Sequence, residues 1–280
     1  MKIVFSILVH ENVNCILSLI NNIKKFCPNS LIVIHISNNN LSDAQLQNIE
    51  NVFVNPTRNI IIKYEHGLLH CYLSNYKYVC EKVGKENISN FVFMSSNEMI
   101  IKYGLEEHIK KYKNGLQCVC HNQFVDWHIY NRNVQNTLPI EKKINMLDMD
   151  TIWGGQTEGQ FYETDVMDKI CEVFEKCFSN EKTDYPSEEI IPQTVFMSME
   201  KSLKCPNITF QTYSHSLNMT IDIVKLFINS EKQNEFILLP SSNKMCLSTP
   251  HAGNKIKYIF CVKRIERNEN DPVRCFINNL

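Results

Sequence analysis

Apolar residues recur at two different spacings along the first hundred positions of the chain. Lys2–Val9 and Ser30–Ser37 are continuous apolar runs rich in β-branched residues, which is typical of strands buried on both faces of a sheet. Between them, Asn12–Phe26 repeats apolar residues every three or four positions, and this spacing predicts a helix. A strand, a helix and a strand in succession predict a crossover unit with parallel strands.

The same alternation continues to about residue 100. Leu41–Glu50 and His70–Val83 are predicted helices, and Ile60–Tyr64 and Asn90–Met94 are predicted strands. We therefore expect an α/β fold with a mostly parallel central sheet flanked by helices, and a Rossmann-like nucleotide-binding half at residues 1–100.

The second half of the chain is less periodic. Tyr103–Tyr112 and Asp165–Cys177 are predicted helices, while Phe210–Tyr213 and Lys257–Val262 are predicted strands. Because repeats and long Pro/Gly linkers are absent, we expect residues 1–280 to form a single domain.

Composition narrows the class of protein. The chain has 280 residues, of which 44% are apolar and 21% charged, as in a folded globular protein. A net charge of −1 gives no broad positive field, so general nucleic-acid binding is not expected. The chain lacks the pattern of a signal peptide or a membrane span, and its twelve cysteines include no Cys-x-x-Cys pair. We expect a cytoplasmic protein with reduced thiols.

Two adjacent carboxylates stand at the start of an apolar run. Glu188 and Glu189 follow Pro186 and Ser187, and Ser187 is a predicted N-cap that would place them at the positive end of a helix. A carboxylate held rigidly there, at the rim of a cleft, is suited to act as a general base. An ordinary helix start with solvated glutamates fits the same residues.

A polar segment directly follows the predicted strand Asn90–Met94. Ser95, Asn97 and Glu98 lie in this segment, at a position where open α/β sheets bind ligands. A single carboxylate beside Ser and Asn is a poor site for Mg²⁺ or Mn²⁺, so a divalent metal is not expected to be required. Two alternatives remain open: Glu98 binds a metal ion, or it is an ordinary loop acid.

A basic segment near the C-terminus provides cations for an anionic ligand. Lys263, Arg264 and Arg267 follow the predicted strand Lys257–Val262. Arginine pairs well with phosphate oxygens, and lysine supplies a compact charge, so the segment is suited to a diphosphate. A solvated basic tail is the alternative.

A glycine-rich aromatic stretch provides the side chains of a carbohydrate surface. Trp153 and Tyr162 are suited to stack on sugar rings, and Gln156, Glu158 and Gln160 to bond hydroxyl groups. A glycine turn with core aromatics fits equally well. A non-catalytic carbohydrate-binding protein would use the same surface.

Taken in order, these segments resemble the core-2/I-branching β-N-acetylglucosaminyltransferase-like family, which has a GT-A fold. The resemblance implies an inverting, metal-independent transfer from a UDP-sugar donor to a glycan or glycoprotein acceptor. The compact form is similar to the soluble members of bacteria and large algal viruses, including xylosyltransferases of chlorovirus capsid glycans, which suggests xylose as the sugar. The segments that carry the resemblance are Ser6–Glu11, Ile34–Ser37, Phe93–Lys102, Trp153–Tyr162, Pro186–Glu189 and Val262–Ile265.

The resemblance also implies roles for individual residues. The family's base is a glutamate in a Ser-Pro-Asp-Glu segment, five residues before a threonine, and Glu189 matches it with Thr194. Glu188 takes the aspartate position, and the family's basic pair falls on Lys263 and Arg264. Residues 101–280 would then form the acceptor-binding and catalytic half.

The nucleotide end of the family pattern falls on the ends of the first, second and fourth predicted strands. The resemblance implies nucleotide contacts at His10, Ser37, Ser95 and Asn97. Ser37 departs from the family, where an aspartate is common at this position.

Overall fold

A computed structural model of the chain describes residues 1–37, 41–58, 67–120, 152–177, 186–199, 201–203, 205–211, 218–235 and 255–280. The predicted strand Ile60–Tyr64 lies outside these ranges.

Among the described residues, the central sheet consists of β1 (Lys2–Val9), β2 (Leu31–Ile36), β3 (Val52–Val54), β4 (Ile88–Ser95) and β8 (Phe161–Glu163). Their order across the sheet is β3-β2-β1-β4-β8. The pairs β1–β2, β1–β4 and β2–β3 are parallel, and β8 joins β4 antiparallel.

Two smaller sheets adjoin the central one. In the first, β10 (Cys261–Lys263) pairs antiparallel with β5 (Glu98–Ile100) and parallel with β9 (Thr209–Phe210). In the second, β6 (Val119–Cys120) pairs antiparallel with β7 (Trp153–Gly154). The first of these sheets brings the C-terminal basic segment beside the segment that follows β4.

Helices flank the sheet. None of the helices among the described residues has the length and apolarity that a membrane span requires. They are α1 (Val13–Phe26), α2 (Gly67–Val83), α3 (Leu105–Tyr112), α4 (Thr164–Cys177), α5 (Ile191–Ser198), α6 (Ile221–Ile228) and α7 (Pro272–Asn278).

Alternate residues of β1 face opposite layers of the molecule. Ile3, Phe5 and Ile7 lie in a core shared with α1, α3, α6 and α7. Val4 and Leu8 lie in a second core shared with α2, α4 and α5. Because a strand directs successive side chains to opposite faces, a strand between two cores must be apolar at nearly every position. The fold is therefore α/β, with a mostly parallel sheet between helical layers, as the sequence predicts.

The predicted helix Leu41–Glu50 is wrong, since this segment forms turns and no helix. Asn48 and Asn51 have φ values of 68° and 61°, in the left-handed region that a right-handed helix excludes. The predicted strand Lys257–Val262 is partly wrong as well. Its first half is a 3-10 turn at Ile256–Tyr258, and the strand is only β10.

Candidate active site

Three parallel strands end at the same edge of the sheet, and predicted site residues follow each of them. His10 follows β1, Ser37 follows β2, and Ser95 is the last residue of β4. The Ser37 hydroxyl donates to the Val9 carbonyl at 3.1 Å, which ties the ends of β1 and β2 together. His10, Ser37 and Ser95 therefore lie along one edge.

The strand order changes direction between β1 and β4, because β2 lies on one side of β1 and β4 on the other. Open α/β sheets bind ligands at such a switch point, outside the carboxyl ends of the strands. In this protein a hydrogen bond joins the segments after β1 and β4 across the switch point: the Ser96 hydroxyl donates to the Glu11 carboxylate.

Glu11 is almost completely enclosed, with 2% of its side chain exposed. Its carboxylate accepts hydrogen bonds from Ser96, from Arg267 Nε and, at 3.1 Å, from the His10 backbone N–H. Burial alone raises the pKa of Glu11, but these donors outweigh it and lower the pKa below the usual value. Glu11 is therefore ionised and fixed in place.

Glu98 lies on β5 and is also buried, with 1% of its surface exposed. One oxygen accepts from Thr209 Oγ1, and the other accepts from the Ser95 N–H at 3.0 Å and the Ser95 hydroxyl at 3.2 Å. Burial raises its pKa to about 7. Both oxygens are thus engaged by protein donors. In the part of the chain that the structure describes, no three His, Cys, Asp or Glu side chains are grouped to hold a metal ion.

Glu188 and Glu189 lie in a 3-10 turn, Ser187–Glu189, immediately before α5. The predicted capping role of Ser187 is wrong, because its hydroxyl is buried and makes no hydrogen bond. The helix begins instead after Ile190, with Pro192 in its first turn, where proline needs no N–H partner. Both carboxylates nevertheless lie near the positive end of α5.

The glycine-rich stretch packs directly against this turn. The Gly155 N–H donates to the Glu189 carbonyl at 2.9 Å. Thr194 Oγ1 accepts from the Trp153 N–H and donates to the Trp153 carbonyl, both at 2.9 Å. Only glycine fits at position 155, since a Cβ there would lie 2.0 Å from the Gln117 carbonyl oxygen. Gly155 and Glu189 are therefore neighbours through their backbones, and Trp153 is joined to α5 through the Thr194 side chain.

The structure corrects the predicted carbohydrate surface at three of its residues. Tyr162, Gln160 and Gln156 are buried and bonded to the protein itself. The Tyr162 hydroxyl donates to Gln160 Oε1, and Gln160 Nε2 donates to the Gln156 carbonyl at 2.5 Å. Gln156 Nε2 donates to the Glu158 carbonyl at 2.9 Å, so these side chains support the loop that carries Glu158. Trp153 and Glu158 keep partial exposure.

Five ionisable residues form one group, which we call the glutamate–lysine cluster: Glu98, Glu158, Glu188, Glu189 and Lys263. Lys263 Nζ pairs with the Glu158 carboxylate and lies opposite Glu98 in the β5–β10 register. Glu158 raises, and Lys263 lowers, the pKa of each of the other three glutamates. The sequence-predicted base and one predicted diphosphate partner are thus close enough to affect each other electrostatically.

The two adjacent glutamates of the cluster have raised pKa values. Burial, the largest cause, raises the pKa of Glu188 to about 7. Burial first, and then the charge of Glu188, raise the pKa of Glu189 well above its usual range. Protein surrounds the carboxyl group of Glu189, but the residue as a whole is only partly buried.

The basic segment is ordered along its length and connects the cluster to the switch point. Lys263 lies in the cluster, the Ile265 N–H donates to the Asn97 carbonyl at 3.2 Å, and Arg267 bonds Glu11. Arg264 adopts a φ of 69°, and its carbonyl accepts from the Met219 N–H at 3.0 Å. These contacts exclude the alternative of a solvated tail.

Sequence reasoning missed two residues of this site. Glu11 follows β1 at the same edge as Ser95. Its place shortly after a predicted strand could therefore have identified it as a candidate site residue. Thr209 had no sequence signal, because it reaches Glu98 only through the pairing of β9 with β10 and of β10 with β5.

Comparison with known proteins gave no matching family model and no matching curated protein. Solved structures that are similar in the course of the chain include two of LgtC. An active-site mutant of LgtC is 10% identical, with a TM-score of 0.42, over 100% of this chain and 94% of that one. The galactosyltransferase LgtC with donor and acceptor sugar analogs is 13% identical, with a TM-score of 0.36, over 75% of each chain. At these scores a functional assignment rests on the site itself.

Proposed function

We propose that this protein is a GT-A-type inverting glycosyltransferase that moves a sugar from a UDP-sugar to a hydroxyl group of a glycan acceptor. The observation that carries the proposal is the presence of Glu189 and Lys263 in one cluster. Displacement at a sugar carbon needs a base on the attacking side and a cation beside the departing diphosphate. The cluster adjoins the sheet edge where α/β proteins bind nucleotides.

In the proposed reaction, Glu189 takes the proton of the acceptor hydroxyl as that oxygen attacks C1 of the donor sugar. The bond from C1 to the diphosphate oxygen breaks, and its electron pair leaves with UDP. Attack from the side opposite the leaving group inverts the anomeric centre. The raised pKa of Glu189 suits this role, because it makes the ionised carboxylate a stronger proton acceptor than an ordinary glutamate.

Lys263, Arg264 and Arg267 would stabilise the charge that builds on UDP. Charge-assisted hydrogen bonds from lysine and arginine to phosphate are about twice as strong as neutral ones. Lys263 pairs with Glu158, so the diphosphate would compete with that carboxylate. Donor binding would thus remove a countercharge from Glu158.

Metal-independent catalysis fits the environment of Glu98. A cation at Glu98 would have to replace the hydrogen bonds from Thr209 and Ser95, which already engage both oxygens. The arginines and Lys263 can supply the positive charge that a metal ion supplies in other transferases. We propose UDP-xylose as the donor to test first, a glycan or glycoprotein as the acceptor, and the cytoplasm as the location.

A thermal-shift series tests the proposal, with UDP, GDP, UDP-xylose, UDP-GlcNAc and GDP-fucose, each with Mn²⁺ or with EDTA. We expect the uridine compounds to raise Tm by several degrees, as for a ligand at about 100 times its Kd, and EDTA to leave the shift unchanged. No shift with any nucleotide would contradict the proposal. A Tm shift that is lost in EDTA and restored by Mn²⁺ would contradict metal independence and would support the alternative in which Glu98 binds a metal ion. Glycan binding without nucleotide binding would identify a carbohydrate-binding protein.

A further inference from the structure

Arg267 lies at the switch point between β1 and β4, where its guanidinium group bonds Glu11. Its Nε donates to the Glu11 carboxylate, which also accepts from Ser96 after β4. Glu11 therefore joins three segments: the end of β1, the end of β4 and the basic segment after β10. This contact fixes where the arginine side chain can lie.

Within the described part of the chain, the rest of the guanidinium group is available to bind a ligand. The Arg267 side chain is 44% exposed, and its two terminal nitrogens bond no described residue. A planar guanidinium held at Nε presents these nitrogens as a fork, the geometry that matches two phosphate oxygens. An arginine without such an anchor would lose more side-chain entropy on binding.

A second contact fixes the backbone beside Arg267. Arg274 on α7 is fully buried, and its Nη2 donates to the Glu266 carbonyl at 3.1 Å. The Nε and Nη1 of Arg274 are buried and find no hydrogen-bond partner among the described residues. A buried cation with a single acceptor contributes little stability, and replacing it with an apolar side chain is often neutral. Within the described part of the chain, the guanidinium group of Arg274 bonds the backbone next to Arg267.

We infer that Glu11 is a positioning residue, which orients Arg267 to bind the diphosphate of a nucleoside-diphosphate sugar at the β1–β4 switch point. The inference rests on the proposed function and adds to the site a residue that lies outside the glutamate–lysine cluster. Arg274 supports the same arrangement from the other side, through the Glu266 backbone. Glu11 would not contact the ligand, and its effect would act through the direction of the guanidinium group.

The test compares Kd values for UDP and uridine by calorimetry in wild type, Glu11→Gln, Arg267→Gln and the double variant. We expect Glu11→Gln to weaken UDP binding about tenfold and leave uridine binding nearly unchanged, because only the diphosphate contact is disturbed. Arg267→Gln should have an effect of the same size, and the double variant should lose no more than Arg267→Gln alone. Glu269→Gln, an exposed carboxylate two residues beyond Arg267, is the charge-matched control and should bind UDP as wild type does.

The outcomes separate the inference from the proposed function. An unchanged ratio of UDP to uridine affinity in Glu11→Gln, with wild type binding UDP, would overturn the inference and leave the proposed function standing. Equal weakening of UDP and uridine binding would show a merely structural role and would also overturn it. A wild-type protein that binds neither UDP nor GDP would overturn both. Arg274→Met supplies a further readout, because we expect UDP affinity to fall while the urea midpoint stays the same or rises.

Discussion

At the scale of single residues, the adjacent pair Glu188–Glu189 shows how the fold makes two identical side chains different. Glu188 is buried, whereas Glu189 keeps part of its surface exposed at the same turn. Burial raises the pKa of both, and the charge of Glu188 raises that of Glu189 further. Glu189 is therefore the better placed of the two to meet an acceptor hydroxyl.

Replacing Glu188 should shift the pH dependence of transfer. The proposed base must be ionised, so activity is lost as pH falls through the pKa of Glu189. Glu188→Gln removes a neighbouring negative charge and should move the acid limb of the kcat/KM profile to lower pH. The control Glu107→Gln, on the exposed side of α3, should leave the limb where it is. A limb that moves to higher pH in Glu188→Gln would contradict the electrostatic account.

Glu98 should make the folded protein less stable at alkaline pH. Its raised pKa of about 7 means that native protein retains a proton that the unfolded chain releases near pH 4.5. The associated stability is fully present below pH 4.5 and is lost as pH rises through 7, on the order of 3 kcal/mol. Glu98→Gln should remove this part of the decrease between pH 5 and pH 8 in urea unfolding. Equal decreases in variant and wild type would show that Glu98 is ionised throughout.

At the scale of elements, the site depends on short strands that place long-separated segments side by side. β10 sets Lys263 opposite Glu98, and the loop before β8 brings Glu158 to the same lysine. The side chains Gln156, Gln160 and Tyr162 hold that loop from beneath. The loop therefore positions one carboxylate to compete with a bound diphosphate.

Removing the Glu158 charge should strengthen nucleotide binding. Glu158→Gln frees Lys263 from its ion pair, so we expect the Kd for UDP to fall about three- to tenfold, equivalent to roughly 1 kcal/mol for a partly exposed pair. The control introduces Glu158→Gln into the Lys263→Met variant, which already lacks the ion pair. In that variant Glu158→Gln should leave the Kd for UDP unchanged. Weaker UDP binding in Glu158→Gln would mean that the carboxylate assists the ligand.

At the scale of the whole molecule, local patterns predicted β1, β2 and β4 of the central sheet but not β3 or β8, and distant pairings decided the site. β1, α1 and β2 followed from apolar spacing alone, because each is defined by neighbours in sequence. The helix expected at Leu41–Glu50 failed where Asn48 and Asn51 take left-handed backbone angles. Apolar spacing carries no information on such angles.

The site was predicted only in part, because local patterns locate residues after strands but do not show which distant segments pair. Residues after parallel strands, such as His10 and Ser95, could be placed at one edge from sequence. The aromatic Tyr162 could not be assigned to surface or core, because aromatic side chains serve in both places. Likewise the contact of Thr209 with Glu98 depends on strand register across most of the chain.

The most direct test of the central claim is the activity of Glu189→Gln beside its affinity for UDP. The variant keeps the size of the side chain and removes the group that would accept the proton. We expect transfer from UDP-xylose or another active UDP-sugar to fall about 10²–10⁴-fold, while the Kd for UDP stays within about twofold of wild type. Transfer at close to the wild-type rate would contradict the assignment of Glu189 as the base.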